Sequence, residues 1–409
     1  MQHEEGFTLP TMLIRLMAIF AISISATDGA SAAELRAPES AVAGMQAQNW
    51  ESRLVTPEDL LDYIVAHPDK ASLTAFSVDN PQSGIFHRAD APQPLASTVK
   101  ILVLYEYAHQ VAEGRLRADE RVALDEVFAY LVGRDGGAAM KAYEDWKKRG
   151  VLDTSNRLPL SEVVHAMIRW SDNASTDYLI ERLGREHLEK APSRLGMNHD
   201  EPPFPITGST LMSYNHTMKG NPQERLNRYE AFSRKDLANE AHRWALRLRQ
   251  ESGFRDNEIR WLKGGGWALS YDQQQRFFRV ANPRGTTRGY ADLMAKVYQA
   301  RLPKAVVNLM KPYLEWPMEF EGNQKAFDTY GTKGGSLPGM LTGASYFMLK
   351  GRPVAFVSAL FLQDLPAPIY ESLSKSFLQQ HFEIKLHADS AFFERVRQTL
   401  AGLPSSSKE

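Results

Sequence analysis

The chain of 409 residues contains no cysteine. Disulfides, thiolate metal sites, cysteine nucleophiles and a lipid-modified N-terminal cysteine are excluded together. An excess of positive charge is also missing. Lys and Arg number 48 against 49 Asp and Glu, for a net charge of −1, so there is no basic field of the kind that binds nucleic acid. Neither a His-Glu-x-x-His zinc helix nor a Gly-x-x-x-x-Gly-Lys phosphate loop occurs, and the eleven histidines show no ligand spacing. No metal or cofactor is implied. What remains is a globular composition, 43% hydrophobic, with ample material for a buried core.

At the N-terminus, Arg15 precedes the apolar run Leu16–Ile22, and Ala30-Ser31-Ala32 follows. Charge, apolar core and small-x-small residues, in that order, are the layout of a secretory signal peptide cleaved after Ala32. The run is too short to span a bilayer as a stable helix. No stable membrane anchor is expected after cleavage, and the compartment expected is periplasmic or extracellular. A buried N-terminal helix is the other reading of the same residues. The ten residues before Thr11 do not suit a signal peptide, which leaves Met12 and Met17 open as start sites.

Residues 33–55 are small and polar, and read as loosely ordered. Thr56-Pro57-Glu58-Asp59 opens a helix, with a Thr cap, Pro in the first turn and then acids. Ala71–Val78 and Gly84–His87 read as paired strands. Ala96–Val111 reads as a helix apolar on almost every side, which belongs inside a protein. From about 115 to 325 the pattern is helical, with helices over Ser161–Trp170, Ala174–Leu183, Ser233–Glu251 and Thr286–Leu302. Leu237, Ala241, Trp244 and Leu248 share one face of the third. Strand character returns in a hairpin, Gly343–Leu349 and Pro353–Leu362, before a last helix over Ser390–Leu400. Strands at both ends of the chain around a helical middle predict one folded unit over 56–400, with a short tail over 401–409.

Three short motifs carry chemistry. Ser97-Thr98-Val99-Lys100 places a hydroxyl and an amine on one face of a helix start. Serine needs a base, and a lysine buried among apolar residues loses affinity for its proton. The same spacing recurs at Ser372/Lys375 and Ser405/Lys408, but only the first copy heads a buried helix. Ser171-Asp172-Asn173 lies between two helices, where those residue types also serve as ordinary caps. Lys333-Gly334-Gly335-Ser336 precedes the final hairpin, and glycines on an edge strand let a ligand backbone approach. Lys263-Gly264-Gly265-Gly266 offers a competing copy without convincing strands after it.

In this order the motifs resemble those of the serine β-lactamase and penicillin-binding protein superfamily, class A-like β-lactamases most closely. The resemblance covers roughly residues 56–400. It implies an α/β plus all-α fold, with an antiparallel sheet built from both chain ends, flanked by helices, and a helical subdomain between. By the same resemblance Ser97 is a nucleophile forming an acyl-enzyme and Lys100 its base or proton relay. Ser171 passes a proton to the leaving nitrogen, and Asn173 holds the acyl side chain. Lys333 binds a substrate carboxylate, while the N–H groups of Ser97 and Ser336 bind the oxyanion. The implied partner is a small molecule: a β-lactam, or a D-Ala-D-Ala-like peptide or ester. A D,D-peptidase or esterase of the same fold, or a non-hydrolytic penicillin or muropeptide sensor, stands as an alternative.

Three departures qualify the resemblance. Gly334 occupies the place of the usual Thr or Ser. The stretch from Ser171 to Lys333 is longer than the family norm, and an insertion is expected within 207–285. Asp200-Glu201-Pro202-Pro203-Phe204-Pro205 stands where a Glu-x-x-x-Asn should supply the deacylating base. Glu201 is the candidate for that base, although Pro205 replaces the Asn and an exposed loop acid is the plainer reading.

Overall fold

Thr56 starts its helix by the chemistry its sequence suggests. Its hydroxyl accepts the Asp59 N–H at 3.2 Å, while Asp59 Oδ2 accepts the Thr56 N–H at 2.7 Å, with Pro57 in the first turn. The helix, Pro57–Ala66, buries Leu60, Leu61, Tyr63 and Ile64. The structure is a computed structural model that describes residues 54–133, 135–251, 253–266 and 269–403. The expected signal peptide, nearly all of the 33–55 segment and the Ser405/Lys408 copy lie outside the described residues.

Along the chain the strands are β1 (Ala71–Ser77), β2 (Ile85–His87), β3 (Gln93–Pro94), β4 (Arg121–Ala123), β5 (Arg157–Pro159), β6 (Arg284–Gly285), β7 (Phe327–Leu337), β8 (Met340–Leu349) and β9 (Phe356–Leu362). Five of them form one sheet in the order β2-β1-β9-β8-β7, every neighbour antiparallel. Strand β1 pairs with β9 from Ala71 opposite Leu362 to Ser77 opposite Phe356. The sheet is thus built from both ends of the chain, with helices on each face. Two-stranded pairs β3–β6 and β4–β5 stand apart from it.

The alternation of side chains across a strand decides which core each residue joins. Val357, Ala359 and Phe361 of β9 face the larger core, which holds helix Lys100–Ala112 and helix Thr287–Tyr298. Phe356, Leu360 and Leu362 face the other core, with helices Pro57–Ala66, Leu378–Ala388 and Ser390–Ala401. Both faces are covered, which is why β9 reads as a continuous apolar run. Helix Lys100–Ala112 is the central rod. Ile101, Leu102, Val103 and Leu104 are all fully buried, each contributing about 1.5–3 kcal/mol.

Some boundaries differ from expectation for local reasons. The helix expected over Ala96–Val111 begins as a 3₁₀ turn, Ala96–Val99, and becomes α-helical at Lys100, because Ala96 sits at φ +46°. The helix expected to reach Leu302 stops at Tyr298, ahead of Ala300 at φ +52°. The last hairpin is longer on one side, with β8 starting at Met340. Helices Ala367–Ser376 and Leu378–Ala388 had no clear signal in the sequence.

Between Glu201 and Arg284 the chain builds a third core of its own. Helices Ile206–Ser213, Pro222–Glu230, Arg234–Gln250, Phe254–Lys263 and Tyr271–Val280 gather Leu211, Met212, Leu226, Leu237, Trp244, Phe277 and Phe278. Met340 at the start of β8 joins this core, so the segment leans on the sheet's hairpin end. Helix Ile206–Ser213 crosses helix Arg234–Gln250 at Gly208, where an added Cβ would stand 2.0 Å from the Ala241 carbonyl oxygen. Backbone cannot give way as a flexible side chain can. Gly208→Ala is therefore expected to cost about 1–3 kcal/mol through overpacking. A lower unfolding midpoint in urea checks this, and an unchanged midpoint would refute it.

Candidate active site

Strand β3 delivers the chain into the Ser97 turn. Leu95 N–H donates to the Pro283 carbonyl at 2.9 Å, and Ala96 N–H donates to Asn282 Oδ1 at 2.9 Å. From the other side, Thr342 Oγ1 donates to the Leu95 carbonyl at 2.8 Å and lies 2.9 Å from Thr98 Oγ1. Strand β7 passes directly against this turn. A Cβ on Gly335 would fall 2.5 Å from Ser97 N and 2.9 Å from Ala96 Cβ, so only glycine permits the approach. At Gly334 the nearest atom to such a Cβ is the Thr342 carbonyl oxygen at 3.5 Å, an ordinary contact. Ser97 itself is partly exposed. Ser336 lies just beyond Gly335, its Oγ 2.7 Å from the Tyr370 hydroxyl.

Lys100 points from the start of its helix toward the Ser171–Asn173 loop. Its Nζ donates to the Ser171 carbonyl at 2.6 Å, to Asn173 Oδ1 at 2.7 Å and to Ser171 Oγ at 3.2 Å. Lys333, on edge strand β7, reaches the same hydroxyl: its Nζ donates to Ser171 Oγ at 3.0 Å and to the Gly334 carbonyl at 2.6 Å. Ser171 holds this position at φ +60°, a left-handed conformation. Asp172 fixes the loop by capping helix Asn173–Leu183, its two oxygens accepting the N–H groups of Ala174 and Ser175 at 2.9 Å. Both Ser171 lone pairs can accept from these amines, which leaves its O–H as the donor.

Burial dominates the electrostatics. Lys100 is 0% exposed and Lys333 1% exposed. Burial holds the Lys100 amine down at about 8, against the pull of Asp172, Asp177 and Asp135. Burial, and then the neighbouring Lys100, push Lys333 well below the usual lysine range. Asp177 is one turn along from Asn173. It accepts the N–H groups of Ile206, Thr207 and Gly208 at 2.6, 2.9 and 3.3 Å, so it caps the helix opening the 202–283 segment. Burial raises it to about 7 despite those bonds.

Hydrogen bonds thus join Lys100, Ser171, Asn173 and Lys333, and Gly335 of the same strand as Lys333 lies against the Ser97 backbone, while the Ser336 hydroxyl is turned to Tyr370. Glu201 is committed elsewhere. Its carboxylate pairs bidentately with Arg234 at 2.6 Å on each side and accepts the Arg284 N–H at 2.9 Å, while its own N–H donates to the Arg284 carbonyl at 2.8 Å. Asp200 accepts the Thr286 N–H at 2.6 Å. Glu201 and Asp200 therefore staple the point where the 202–283 segment leaves and returns. A carboxylate held by a bidentate guanidinium and a backbone N–H is a fixed anion, not a base free to draw a proton from water. The decoys also separate. Lys263 ends a helix of the 202–283 segment, and Lys375 is exposed and paired with Glu371 at 3.3 Å. Among the described residues, no group of His, Asp or Glu could hold a metal ion.

Asn282, Arg234, Asp177 and Thr342 were not singled out from the sequence. Asn282-Pro283 alone carried a signal, as a turn dipeptide.

A hydroxyl at a helix start, with two buried amines meeting at a second hydroxyl, is an arrangement that suits a serine β-lactamase-like hydrolase. Over residues 57–357 the chain matches the model of the β-lactamase enzyme family, and it belongs to that family. Its fold is β-lactamase-like, within the serine β-lactamase and penicillin-binding protein superfamily. Among solved structures, it is similar to a β-lactamase from Sphaerobacter thermophilus at 16% identity and TM-score 0.45, covering 78% of this chain and 96% of that one. PBP-A aligns at 16% identity and TM-score 0.45, covering 82% and 96%. An ancestral class A β-lactamase aligns at 14% identity and TM-score 0.49, covering 81% and 100%. A search of curated proteins found no match.

The two glycines make a paired test. Gly335→Ala is expected to push β7 off the Ser97 turn and abolish reaction of Ser97 with a fluorescent penicillin. Gly334→Ala is expected to keep the fold and the reaction. Equal labelling of the two variants would contradict the close approach.

Proposed function

We propose that the protein is an exported serine hydrolase that opens β-lactam amides through an acyl-enzyme on Ser97. The observation that carries this reading is the meeting of Lys100 and Lys333 on one hydroxyl, Ser171, beside the Ser97 turn. Ser97 Oγ attacks the carbonyl carbon and its proton passes to neutral Lys100, a form that burial makes accessible near neutral pH. Ser171 then delivers a proton to the departing nitrogen and is resupplied from the amines behind it. Lys333 draws in the substrate carboxylate, which in turn favours its protonated form. Asn173 keeps Nδ2 for the acyl side chain, since Lys100 occupies its Oδ1. The N–H groups of Ser97 and Ser336 receive the oxyanion. Export rests on the charge, apolar and small-residue order of the first 32 residues. No helix among the described residues is long and apolar enough to cross a membrane.

One observation favours a second reading, a penicillin-reactive D,D-peptidase or esterase. Glu201 is held by Arg234 and Arg284, which leaves water activation without that carboxylate. Intact-mass spectrometry after mixing with a penicillin and a cephalosporin separates the two. An adduct that forms on Ser97 and clears with turnover supports the β-lactamase. A long-lived adduct supports the second reading. No adduct, or one that persists in Ser97→Ala, overturns both.

The acylation rate is expected to rise with pH through about 8, because the reactive form of Lys100 is the neutral amine. Half-saturation by an anionic β-lactam is expected to weaken as rising pH takes from Lys333, whose hold on its proton burial and Lys100 loosen, the charge that holds the carboxylate. Lys333→Ala is expected to raise the half-saturating concentration roughly 10- to 100-fold, the worth of one charged hydrogen bond. A stopped-flow pH profile with nitrocefin reads both, and a flat profile would remove Lys100 as the base.

A further inference from the structure

Ala96 precedes the nucleophile in a left-handed conformation, φ +46°, that an L-residue adopts only when its surroundings hold it there. What holds it comes from the far end of the 202–283 segment. Strand β6 pairs Gly285 with Gln93 and Arg284 with Pro94, and the Pro283 carbonyl accepts the Leu95 N–H. The last hydrogen bond before Ser97 is made by a side chain: Asn282 Oδ1 accepts the Ala96 N–H. Asn282 is 2% exposed, so water cannot replace it as acceptor without a rearrangement. Its own carbonyl accepts Arg234 Nη2 at 2.5 Å, and that guanidinium is the one paired with Glu201.

We propose that Asn282 is a positioning residue for Ser97: its amide oxygen holds the Ala96 N–H and with it the left-handed turn that presents the nucleophile, while the Arg234–Glu201 ion pair sets where Asn282 stands. The 202–283 segment is then part of the catalytic apparatus without touching substrate. Glu201 contributes through Arg234 and Asn282 to the acylation step. This inference rests on the reading of Ser97 as the nucleophile.

The test measures the rate constant and half-saturation for labelling of the full chain by a fluorescent penicillin, with the labelled peptide identified. Wild type that is not labelled at Ser97 overturns the functional reading and this inference together. With wild type labelled, Asn282→Ala is expected to slow labelling by about tenfold or more, the worth of one buried hydrogen bond, with half-saturation within about twofold. Adding Ala96→Gly, which accepts positive φ at no steric cost, is expected to restore most of the rate. Asn282→Asp, which keeps an acceptor oxygen, is expected to label faster than Asn282→Ala. A rate for Asn282→Ala equal to wild type, or a loss that Ala96→Gly does not lessen, overturns the inference alone. If Asn282→Ala does not fold, Arg234→Lys decides. It keeps the charge but loses the planar fork that grips both Glu201 oxygens while reaching the Asn282 carbonyl, so the same fall in rate supports the proposal and an unchanged rate overturns it.

Discussion

Two amines buried within hydrogen-bonding reach of one hydroxyl set the conditions for everything around Ser97. A buried ammonium without a carboxylate partner is costly, so each lysine is driven toward its neutral form. Lys100 relieves part of that cost through a carbonyl, an amide oxygen and the fields of three aspartates. Lys333 has a hydroxyl, one carbonyl and a like charge nearby. The fold accepts this because the lysines ride on its most firmly held elements. One begins the central helix, and the other lies in a strand paired along its length with β8.

That geometry depends on a close fit between elements distant in sequence. Strand β7 can run against the Ser97 turn because Gly335 has no side chain. The turn in turn is tied to β8 through Thr342 and to the end of the 202–283 segment through Asn282 and Pro283. The turn that carries Ser97 is held by hydrogen bonds from β8 and from the end of the 202–283 segment and by the close packing of β7, and the bond from Asn282 falls on the left-handed residue, Ala96.

The 202–283 segment is a long excursion held fast where it leaves and returns. Its ends are stapled by Glu201, Asp200 and Arg234, so its internal core can pack as a nearly separate body. The staple consumes the carboxylate that the Glu-Pro spelling suggested for water activation. Binding a guanidinium and a backbone N–H stabilises an anion, whereas activating water requires an oxygen left free to take a proton.

By itself the sequence determined the elements whose signals are local. Thr56-Pro57-Glu58-Asp59 contains its own cap, so the helix start was legible. The unbroken apolar stretch behind Ser97 could only be a buried helix, and β-branched and aromatic runs near the end announced the last hairpin. The order of the three motifs carried the resemblance, and with it the expectation of an antiparallel sheet from both chain ends, which the pairing of β1 with β9 bears out. Tertiary structure alone decided the rest, because those decisions depend on partners far away in the chain. Ala96 looks like any helical alanine until Asn282, nearly two hundred residues later, claims its N–H. Glu201 reads as a catalytic acid or a loose surface one until Arg234 folds back onto it. Nothing in Lys333-Gly334-Gly335 distinguishes the two glycines, yet one is pressed against the Ser97 backbone and the other makes only an ordinary contact with the Thr342 carbonyl. Hydrogen bonds and steric contacts between residues so far apart leave no local pattern, since either partner is an ordinary residue in its own stretch of chain.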